Sequence, residues 1–338
     1  MPPRPTLRDI AKAAGVSHMT VSLALRNHPR IPAETRDRVR EVADRVGYRP
    51  NALLRALSAG IRKGPPADRS PVLSFINPFR DLDEWNARPR LRKFFEGARA
   101  RAERLGYTLD PFWLGEPRMN AARVGQILEA RGILGVVLGG LPTARGHLSL
   151  RLDKFAVAAQ GYSVVRPALH RSCHHHADGM AQALRQGRKL GAKRIGLALT
   201  TERSARVNQL WLGQYAAAHL LSSARRRVTP CLAPTLSKSH IRTWLEKARP
   251  DFVLTAHSDV CHWIAEWSRR TGTDCGFAHL DLHPELFPGW HGIDQDQQAV
   301  GARAVELVVE QLHRNQFGIP PRPKIVLTAG RWVQAEKA

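Results

Sequence analysis

The fold of the N-terminal part is decided by residues 6–60, which read TLRDIAKAAGVSHMTVSLALRNHPRIPAETRDRVREVADRVGYRPNALLRALSAG. Thr6 followed by Asp9 is a capping-box pattern, and it predicts a first helix that runs to about Ala14. Gly15 then supplies the left-handed residue that a tight turn requires. The stretch therefore opens with a helix and a turn sharp enough to bring a second helix back against the first.

The second helix begins after Ser17, which can cap it, and its two faces differ in chemistry. A third helix opens at Pro32 and closes at Gly47. Apolar residues at helical spacing predict a shared core: Leu7, Ile10, Ala11, Ala14, Val21, Ala24, Leu25, Val39, Val42, Ala43 and Val46. The opposite face of the second helix carries groups able to reach base edges and phosphates, namely His18, Met19, Thr20 and Ser22. A small helical bundle with no role in binding DNA remains the alternative at this point.

The charge of the chain makes nucleic acid the first partner to consider, since the formal net charge is +23. Residues 1–63 carry 13 Lys/Arg and 5 Asp/Glu, while the rest carries 39 and 24. The excess of positive charge is thus densest in residues 1–63, called the head below, but it extends along the rest of the chain, called the body. Because 42 of the 52 basic residues are Arg, genomic base composition also explains the charge of the body.

The head resembles the lactose-repressor (LacI/GalR) family of bacterial transcription regulators. The matching motifs run through the head without a gap: Leu7-Arg8-Asp9-Ile10-Ala11, Ala14-Gly15-Val16-Ser17, Thr20-Val21-Ser22, Thr35-Arg36, Val39, Gly47-Tyr48-Arg49-Pro50-Asn51 and Leu57. The resemblance implies a helix-turn-helix DNA-binding domain over residues 1–50 and a hinge helix over residues 51–63.

The resemblance also assigns roles to individual residues. His18 and Met19 lie where the family reads base edges, and Leu57 lies where a wedge opens a base step in the minor groove. The full set of expected DNA-binding residues is Thr6, Leu7, Ser17, His18, Met19, Thr20, Ser22, Asn27, Asn51, Leu54 and Leu57. Leu23 stands where the family often has Arg, and Leu53-Leu54 where smaller or polar residues are common. The operator sequence of better-known relatives therefore does not transfer.

Beyond a Pro-rich linker at residues 64–71, short apolar runs alternate with amphipathic helices. The predicted strands are Val72–Ile76, Ile133–Leu138, Phe155–Ala159, Ile195–Leu199, Phe252–Thr255 and Gly276–Leu280. A helix between the first two carries Leu91, Phe94, Phe95, Ala98, Ala102 and Leu105 on one face and stops at Gly106. This alternation predicts an α/β body with a parallel sheet that binds ligands at the carboxyl ends of its strands.

The body, residues 72–338, looks like the type I periplasmic-binding-protein fold, which implies two lobes with parallel sheets, an effector cleft and a dimer interface. We expect one lobe, the one nearer DNA, to comprise residues 72–160 and 292–322. The other would comprise residues 161–291 and 323–338.

Five residues are candidate effector ligands: Arg206, Asn208, Asp259, Asp281 and Trp290. The two Asp residues follow strands, and Trp290 can stack on a sugar ring. Arg206 and Asn208 lie near a position where the family has a ligand-binding Arg, although Leu210 departs from that pattern. A capping carboxylate, a solvated Arg or a packed Trp is the structural alternative for each.

Other chemistry finds little support in the sequence. Cys173-His174-His175-His176 invites a metal site, but adjacent histidines on a loop cannot all converge on one ion, and His257 with Cys261 lacks further ligands. Catalytic signatures such as G-x-S-x-G, a phosphate loop and H-E-x-x-H are absent from the sequence. We therefore expect no enzyme activity, no metal and no cofactor.

The sequence thus predicts a homodimeric regulator, expected to be a repressor, that binds double-stranded operator DNA and responds to a carbohydrate-like effector. A dimeric regulator whose body only dimerises is the main alternative, and a transport solute-binding protein and an enzyme are the others. The N-terminus lacks an apolar signal-peptide core, and the apolar runs are far shorter than the roughly 20 residues of a membrane span. We expect the chain in the cytoplasm, where its four cysteines stay reduced.

Overall fold

A computed structural model describes residues 6–25, 28, 30–46 and 70–335. The predicted hinge helix at 51–63 and most of the linker lie outside these ranges, as do Asn27, Asn51, Leu54 and Leu57. The chain divides near residue 70 into two compact units, a head and a body. Within the described ranges, no helix combines the length and apolar character that crossing a membrane demands.

The head contains α1 (Leu7–Ala14), α2 (His18–Ala24) and α3 (Ala33–Arg45) in its described part. The predicted caps are confirmed: the Thr6 hydroxyl accepts from the Asp9 amide while the Asp9 carboxylate accepts from the Thr6 amide at 2.6 Å. Gly15 takes the left-handed conformation at φ 66°. The fully buried part of the core is as predicted: Ile10, Ala14, Val21, Ala24, Val39, Val42 and Ala43.

The body has the predicted alternation of strands and helices. Its first part contains β1 (Val72–Asn77), α4 (Leu82–Asn86), α5 (Pro89–Arg104), β2 (Thr108–Trp113), α6 (Ala121–Ala130), β3 (Gly135–Leu138), β4 (Gly146–His147), β5 (Ala156–Gln160), β6 (Val164–Arg166) and β7 (His170–His174). The strands of the first sheet follow the order β13-β7-β5-β3-β1-β2, in which β13 is Ile325–Thr328, and all its pairs are parallel.

The remaining α-helices and strands of the body are α7 (His176–Lys189), β8 (Ile195–Thr200), α8 (Thr201–Arg206), α9 (Leu210–Leu220), β9 (Cys231–Ala233), α10 (Lys238–Ala248), β10 (Phe252–Thr255), α11 (Ser258–Thr271), β11 (Gly276–Leu282), β12 (Gly292–Asp294), α12 (Gln297–His313) and β14 (Arg331–Val333). The second sheet follows the order β14-β12-β11-β10-β8-β9 and is parallel except for the pairing of β12 with β14. The two sheets define two lobes, which agrees with the predicted fold class.

The boundaries between the lobes differ from the prediction. Residues 161–174 belong to the first lobe rather than the second, because β7 pairs with β5 on one side and with β13 on the other. Residues 325–328 move to the first lobe for the same reason. Residues 292–294 belong to the second lobe because β12 pairs with β11 and β14. The chain therefore crosses between lobes after His174, after β12 and between β13 and β14.

The first lobe is held together by a close approach of α5 and α12. A Cβ added to Gly97 would lie 2.0 Å from the carbonyl oxygen of Gln298, and one added to Gly301 would lie 2.0 Å from that of Phe94. The two helices therefore meet backbone to backbone, which only glycine permits. This contact positions the start of α5, where residues of the cleft described below are found.

Candidate functional site

The described residues offer two candidate sites, and the first is the exposed face of α2 in the head. Val21 and Ala24 are fully buried and fix the rotation of the helix about its axis. His18 and Met19 consequently face solvent, the Met19 side chain being 64% exposed. An exposed Met beside a His at the start of a short helix offers apolar and hydrogen-bonding contacts suited to base edges rather than to phosphates alone.

The remaining predicted residues of the head surround that helix. The Ser17 hydroxyl accepts from the Thr20 amide at 3.0 Å and lies 2.9 Å from the Thr20 hydroxyl, so both groups stand at the N-terminus of α2. Ser22 is half-buried, as is Leu7, which packs against the core. The exposed Thr6 caps α1 through Asp9, and hydrogen bonds from Thr6 lower the pKa of that carboxyl.

The second candidate site is a cleft between the two lobes of the body, at the carboxyl ends of the strands. Each lobe contributes residues that end or follow a strand, and α5, α7 and α9 complete the wall. The lining is Arg90, Leu91, Gly140, Gln160, Gly161, Tyr162, Ser163, Cys173, His174, His176, Arg203, Arg206, Val207, Trp211, Asp281, Gln295, Gln297 and Val300.

An ion pair between two largely buried side chains lines the cleft. A terminal guanidinium nitrogen of Arg203 donates to one oxygen of Asp281 at 2.6 Å, and the two side chains are 13% and 6% exposed. Burial alone would raise the pKa of Asp281, but facing cations, Arg203 foremost, hold it well below its usual range. The second Asp281 oxygen and the Nε of Arg203 are buried without a hydrogen-bond partner, so both remain available to a ligand.

Arg206 bridges the two lobes. From α8 in the second lobe, its guanidinium donates to the carbonyl oxygen of Leu141 at 2.9 Å and to that of Pro142, both in the first lobe. Its Nε also donates to Glu202 at 3.0 Å. A second connection between lobes is the ion pair of Lys93 with Glu285 at 2.5 Å. Binding in the cleft can therefore act on contacts that set the spacing of the lobes.

Arg90 enters the cleft from the start of α5 in the first lobe. Among the described residues it has neither a hydrogen-bond nor an ion-pair partner. Burial, followed by repulsion from Arg203, lowers the pKa of Arg90 to about 9. At neutral pH this half-buried guanidinium is still a cation, and Asp281 attracts it through space without a hydrogen bond or ion pair between the two side chains.

Two of the adjacent histidines also reach the cleft. His174 and His176 are buried, with ring centroids 5.0 Å apart, and His176 lies 5.0 Å from the ring of Trp211. Burial is the main cause that lowers the pKa of His174 to about 4 and that of His176 well below its usual range. Both rings are therefore neutral at pH 7. In the part of the chain that the structure describes, His, Cys, Asp and Glu form no group able to hold a metal ion.

The structure brings only part of the predicted effector set together. Arg206 and Asp281 line the cleft, whereas Asn208, Asp259 and Trp290 do not. Asn208 is exposed, in the left-handed turn (φ 53°) between α8 and α9, and Asp259 is exposed in the first turn of α11. Trp290 stacks on Phe287 with ring centroids 4.4 Å apart, so a side chain of the second lobe already covers one face of the indole ring.

Sequence reasoning missed the two arginines that define the cleft. Arg203 follows β8 at the same edge of the sheet as Asp281, so the position after a strand was a usable signal for it. Arg90 stands at the start of a helix, and nothing in the local sequence distinguishes it from the many other arginines of the chain.

Comparison with known proteins gives strong matches for the head and fold-level matches for the whole chain. Residues 6–51 match the family described as "Bacterial regulatory proteins, lacI family". Curated relatives include the probable HTH-type transcriptional repressor ExuR of Bacillus subtilis, 45% identical over 53 residues, and the HTH-type transcriptional regulator AscG of Escherichia coli, 48% identical over 54 residues. Each alignment spans 16% of this chain and 16% of the relative.

Among solved structures, the transcriptional regulator CelR in complex with cellobiose matches with a TM-score of 0.55 at 17% identity, covering 99% of this chain and 100% of that one. The lac repressor dimer bound to operator and the anti-inducer ONPF matches with a TM-score of 0.55 at 17% identity, covering 98% of each chain. At this identity the likeness establishes the fold: a helix-turn-helix head followed by a two-lobe α/β body.

Proposed function

We propose that this chain is a sequence-specific DNA-binding repressor of transcription, since residues 6–51 match the lacI family of bacterial regulatory proteins. The observation that carries the proposal is the head itself, in which the described part of a family-matching sequence folds into three helices and exposes His18 and Met19 on the second. ExuR is named a repressor, and the lac repressor structure is that of an operator complex, which supports the same role here.

In this function α2 lies in the major groove of operator DNA. His18 and Met19 contact base edges, while Ser17, Thr20 and Ser22 contact phosphate oxygens near the start of the helix, where backbone N–H groups also point. Thr6 and Leu7 lie at the start of α1 and complete the set in the described head. Two heads of a homodimer bind a pseudo-palindromic site whose symmetry is that of the protein. The regulator acts in the cytoplasm.

A small molecule in the cleft of the body controls DNA binding. The structures of CelR and the lac repressor hold cellobiose and ONPF, which supports a carbohydrate-like effector for this chain. Because Arg206 links the lobes through the rim of the cleft, a bound molecule changes the relative stability of two lobe arrangements. The size of the response equals the difference in its affinity for them.

Selection of bound sequences from a random DNA library, followed by affinity measurements at one fixed salt concentration, tests the DNA-binding role. A single enriched motif with two related half-sites is expected. Replacing His18 with Ala should weaken binding to that motif by about 1–3 kcal/mol and leave binding to random DNA unchanged. Glu41→Gln, on the exposed side of α3, is the matched control. Failure to enrich any motif would contradict the proposal.

The hinge contributes a separate test, which rests on the family resemblance because Leu57 lies outside the described residues. Leu57→Ala should weaken binding to the selected operator by much more than binding to random DNA, since a wedge acts only where the base step opens. Equal losses on both DNAs, at the same salt concentration, would count against a wedge at this position.

A further inference from the structure

We propose that the effector of this cleft is a hydroxylated small molecule carrying an anionic group, a carboxylate or a phosphate monoester, which Arg90 binds. The inference rests on the proposed function, in that it takes the cleft as the effector site. It goes further by naming the chemical class of the ligand and the residue that recognises its charge.

The first observation is the charge of the lining. Three guanidinium groups, those of Arg90, Arg203 and Arg206, face one carboxylate, that of Asp281, among the described residues that line the cleft. The two buried histidines add no charge at neutral pH, as shown above. Glu202, which is half exposed, binds Arg206 at the rim. The cleft therefore keeps an excess of positive charge after its own ion pairs are formed.

The second observation is that this excess is localised on one residue. Asp281 is bound to Arg203, and Arg206 is bound to Glu202 and to two backbone carbonyls. Arg90 has no such partner among the described residues. Arg90 is half-buried, so its cation has lost part of its hydration without gaining a bound anion, and guanidinium geometry matches carboxylates and phosphates with two parallel hydrogen bonds.

The third observation is that acceptor and donor groups for a hydroxylated body lie beside that cation. The free oxygen of Asp281 accepts from a hydroxyl, and the free Nε of Arg203 donates to an oxygen. An anion without a hydroxyl, such as chloride, would leave the Asp281 oxygen unsatisfied and would be repelled by it. The pairing of an unpartnered carboxylate oxygen with an unpartnered guanidinium thus favours a molecule that has both hydroxyls and one negative charge.

The arrangement also connects the ligand to the lobes. Arg90 belongs to the first lobe and Arg203 to the second, and their like charges oppose each other across the cleft, as the lowered pKa of Arg90 reflects. An anion placed between them replaces this repulsion by two attractions. The ligand therefore binds most tightly to the arrangement in which the lobes approach, which is the differential affinity that regulation requires.

Calorimetric titration of the full-length chain with matched series tests the proposal: glucose, glucuronate and glucose 6-phosphate, and the corresponding galactose compounds. We expect an acid of at least one series to bind at least about tenfold more tightly than its neutral sugar. Whether the uronate or the sugar phosphate binds more tightly shows which anionic group the effector carries. Arg90→Gln should abolish that preference, whereas Arg92→Gln, an exposed site on the same helix, should retain it.

A neutral sugar that binds as tightly as its acids would overturn the anionic ligand but leave effector control intact. Absence of binding by every compound, with operator binding preserved, would overturn both the ligand class and effector control, while the DNA-binding role would stand. A readout independent of the sugar is thermal unfolding in phosphate against chloride at equal ionic strength. Because phosphate also stabilises proteins without binding a site, it should raise the Tm of the wild type and of Arg92→Gln by more than that of Arg90→Gln, and equal shifts in all three would contradict the role of Arg90.

Discussion

The head and the body of this chain place their candidate sites in opposite ways. In the head, the site occupies one face of α2, and the groups that position it lie within a few residues in sequence, as Ser17 and Thr20 do. In the body, the cleft gathers side chains from both lobes, and Arg203 reaches Asp281 from a different strand–helix unit. A site on a single helix is determined by the local sequence, whereas a site formed between two sheets depends on how those sheets assemble.

Truncation of the head core gives the largest expected effect. Ile10→Ala should cost about 2–5 kcal/mol, because Ile10 is fully buried in a core of few residues. Sequence-specific DNA binding should be lost. All 8 Trp residues lie in the body, so the unfolding transition followed by Trp fluorescence should not move. A shift of that transition would show that head and body do not behave as separate units.

A substitution in the body should produce the reverse pattern. Gly301→Ala should cost about 1–3 kcal/mol, because the new Cβ would collide with the Phe94 carbonyl in the α5–α12 contact. The Trp fluorescence transition should move to lower temperature. Gly213→Ala is the control: this helical glycine has nothing within 4 Å of an added Cβ, and alanine there should be neutral or stabilise by up to about 1 kcal/mol. Equal effects of both variants would contradict the close contact.

The pH dependence of stability should also differ between the head and the body. Burial lowers the pKa of His174 and of His279 to about 4, so between about pH 6.5 and pH 4 the unfolded chain binds protons that the folded body does not. The stability of the body is therefore complete above pH 6.5 and falls on acidification, by about 1.4 kcal/mol per pH unit for each such histidine. Neither histidine of the head, His18 or His28, is buried.

Chemical unfolding between pH 8 and pH 4.5, followed by Trp fluorescence, measures this dependence. His174→Leu should reduce the slope of unfolding free energy against pH by the contribution of one histidine. Since neither ring nitrogen of His174 has a hydrogen-bond partner, the cost at pH 8 should be small. A slope equal to that of the wild type would show that His174 is protonated in the folded body.

The smallest expected effect is the loss of a cap. Thr6→Ala removes the hydroxyl that accepts from the Asp9 amide at 3.4 Å and should cost about 1 kcal/mol of head stability. Thr6→Ser keeps the hydroxyl and should lose much less. Far-UV circular dichroism of the head transition distinguishes them, and equal losses for the two variants would mean that the cap does not stabilise α1.

The head could be predicted closely because its determinants are local. Thr6 with Asp9, Gly15 and Ser17 each stabilise a helix end through groups within a few residues, and the 3.6-residue spacing identified the core. In the body the strands were recognised, since runs such as Phe252–Thr255 are buried and apolar. The position of the lobe boundary was not, because β7 and β13 pair across a large separation in sequence.

The cleft shows the same limit at the level of side chains. Asp281 was predicted from its place near the end of a strand, and packing then paired it with Arg203, which carries the same signal. The Trp290 ring is of a kind that can stack on a sugar, but Phe287 stacks on it instead. Arg90 became conspicuous only once the structure showed that no carboxylate binds it. These outcomes depend on three-dimensional neighbours rather than on residue type.

The bridge made by Arg206 has a consequence for genetics. Its acceptors in the first lobe are the backbone oxygens of Leu141 and Pro142, which every substitution at those positions retains. Under the proposed function, a saturation screen for altered regulation should recover Arg206 through the loss of this contact, whereas substitutions of the buried Leu141 would act through the core of the first lobe and leave the acceptor in place. The inter-lobe contact would appear in such a screen to belong to one lobe alone, although both lobes make it.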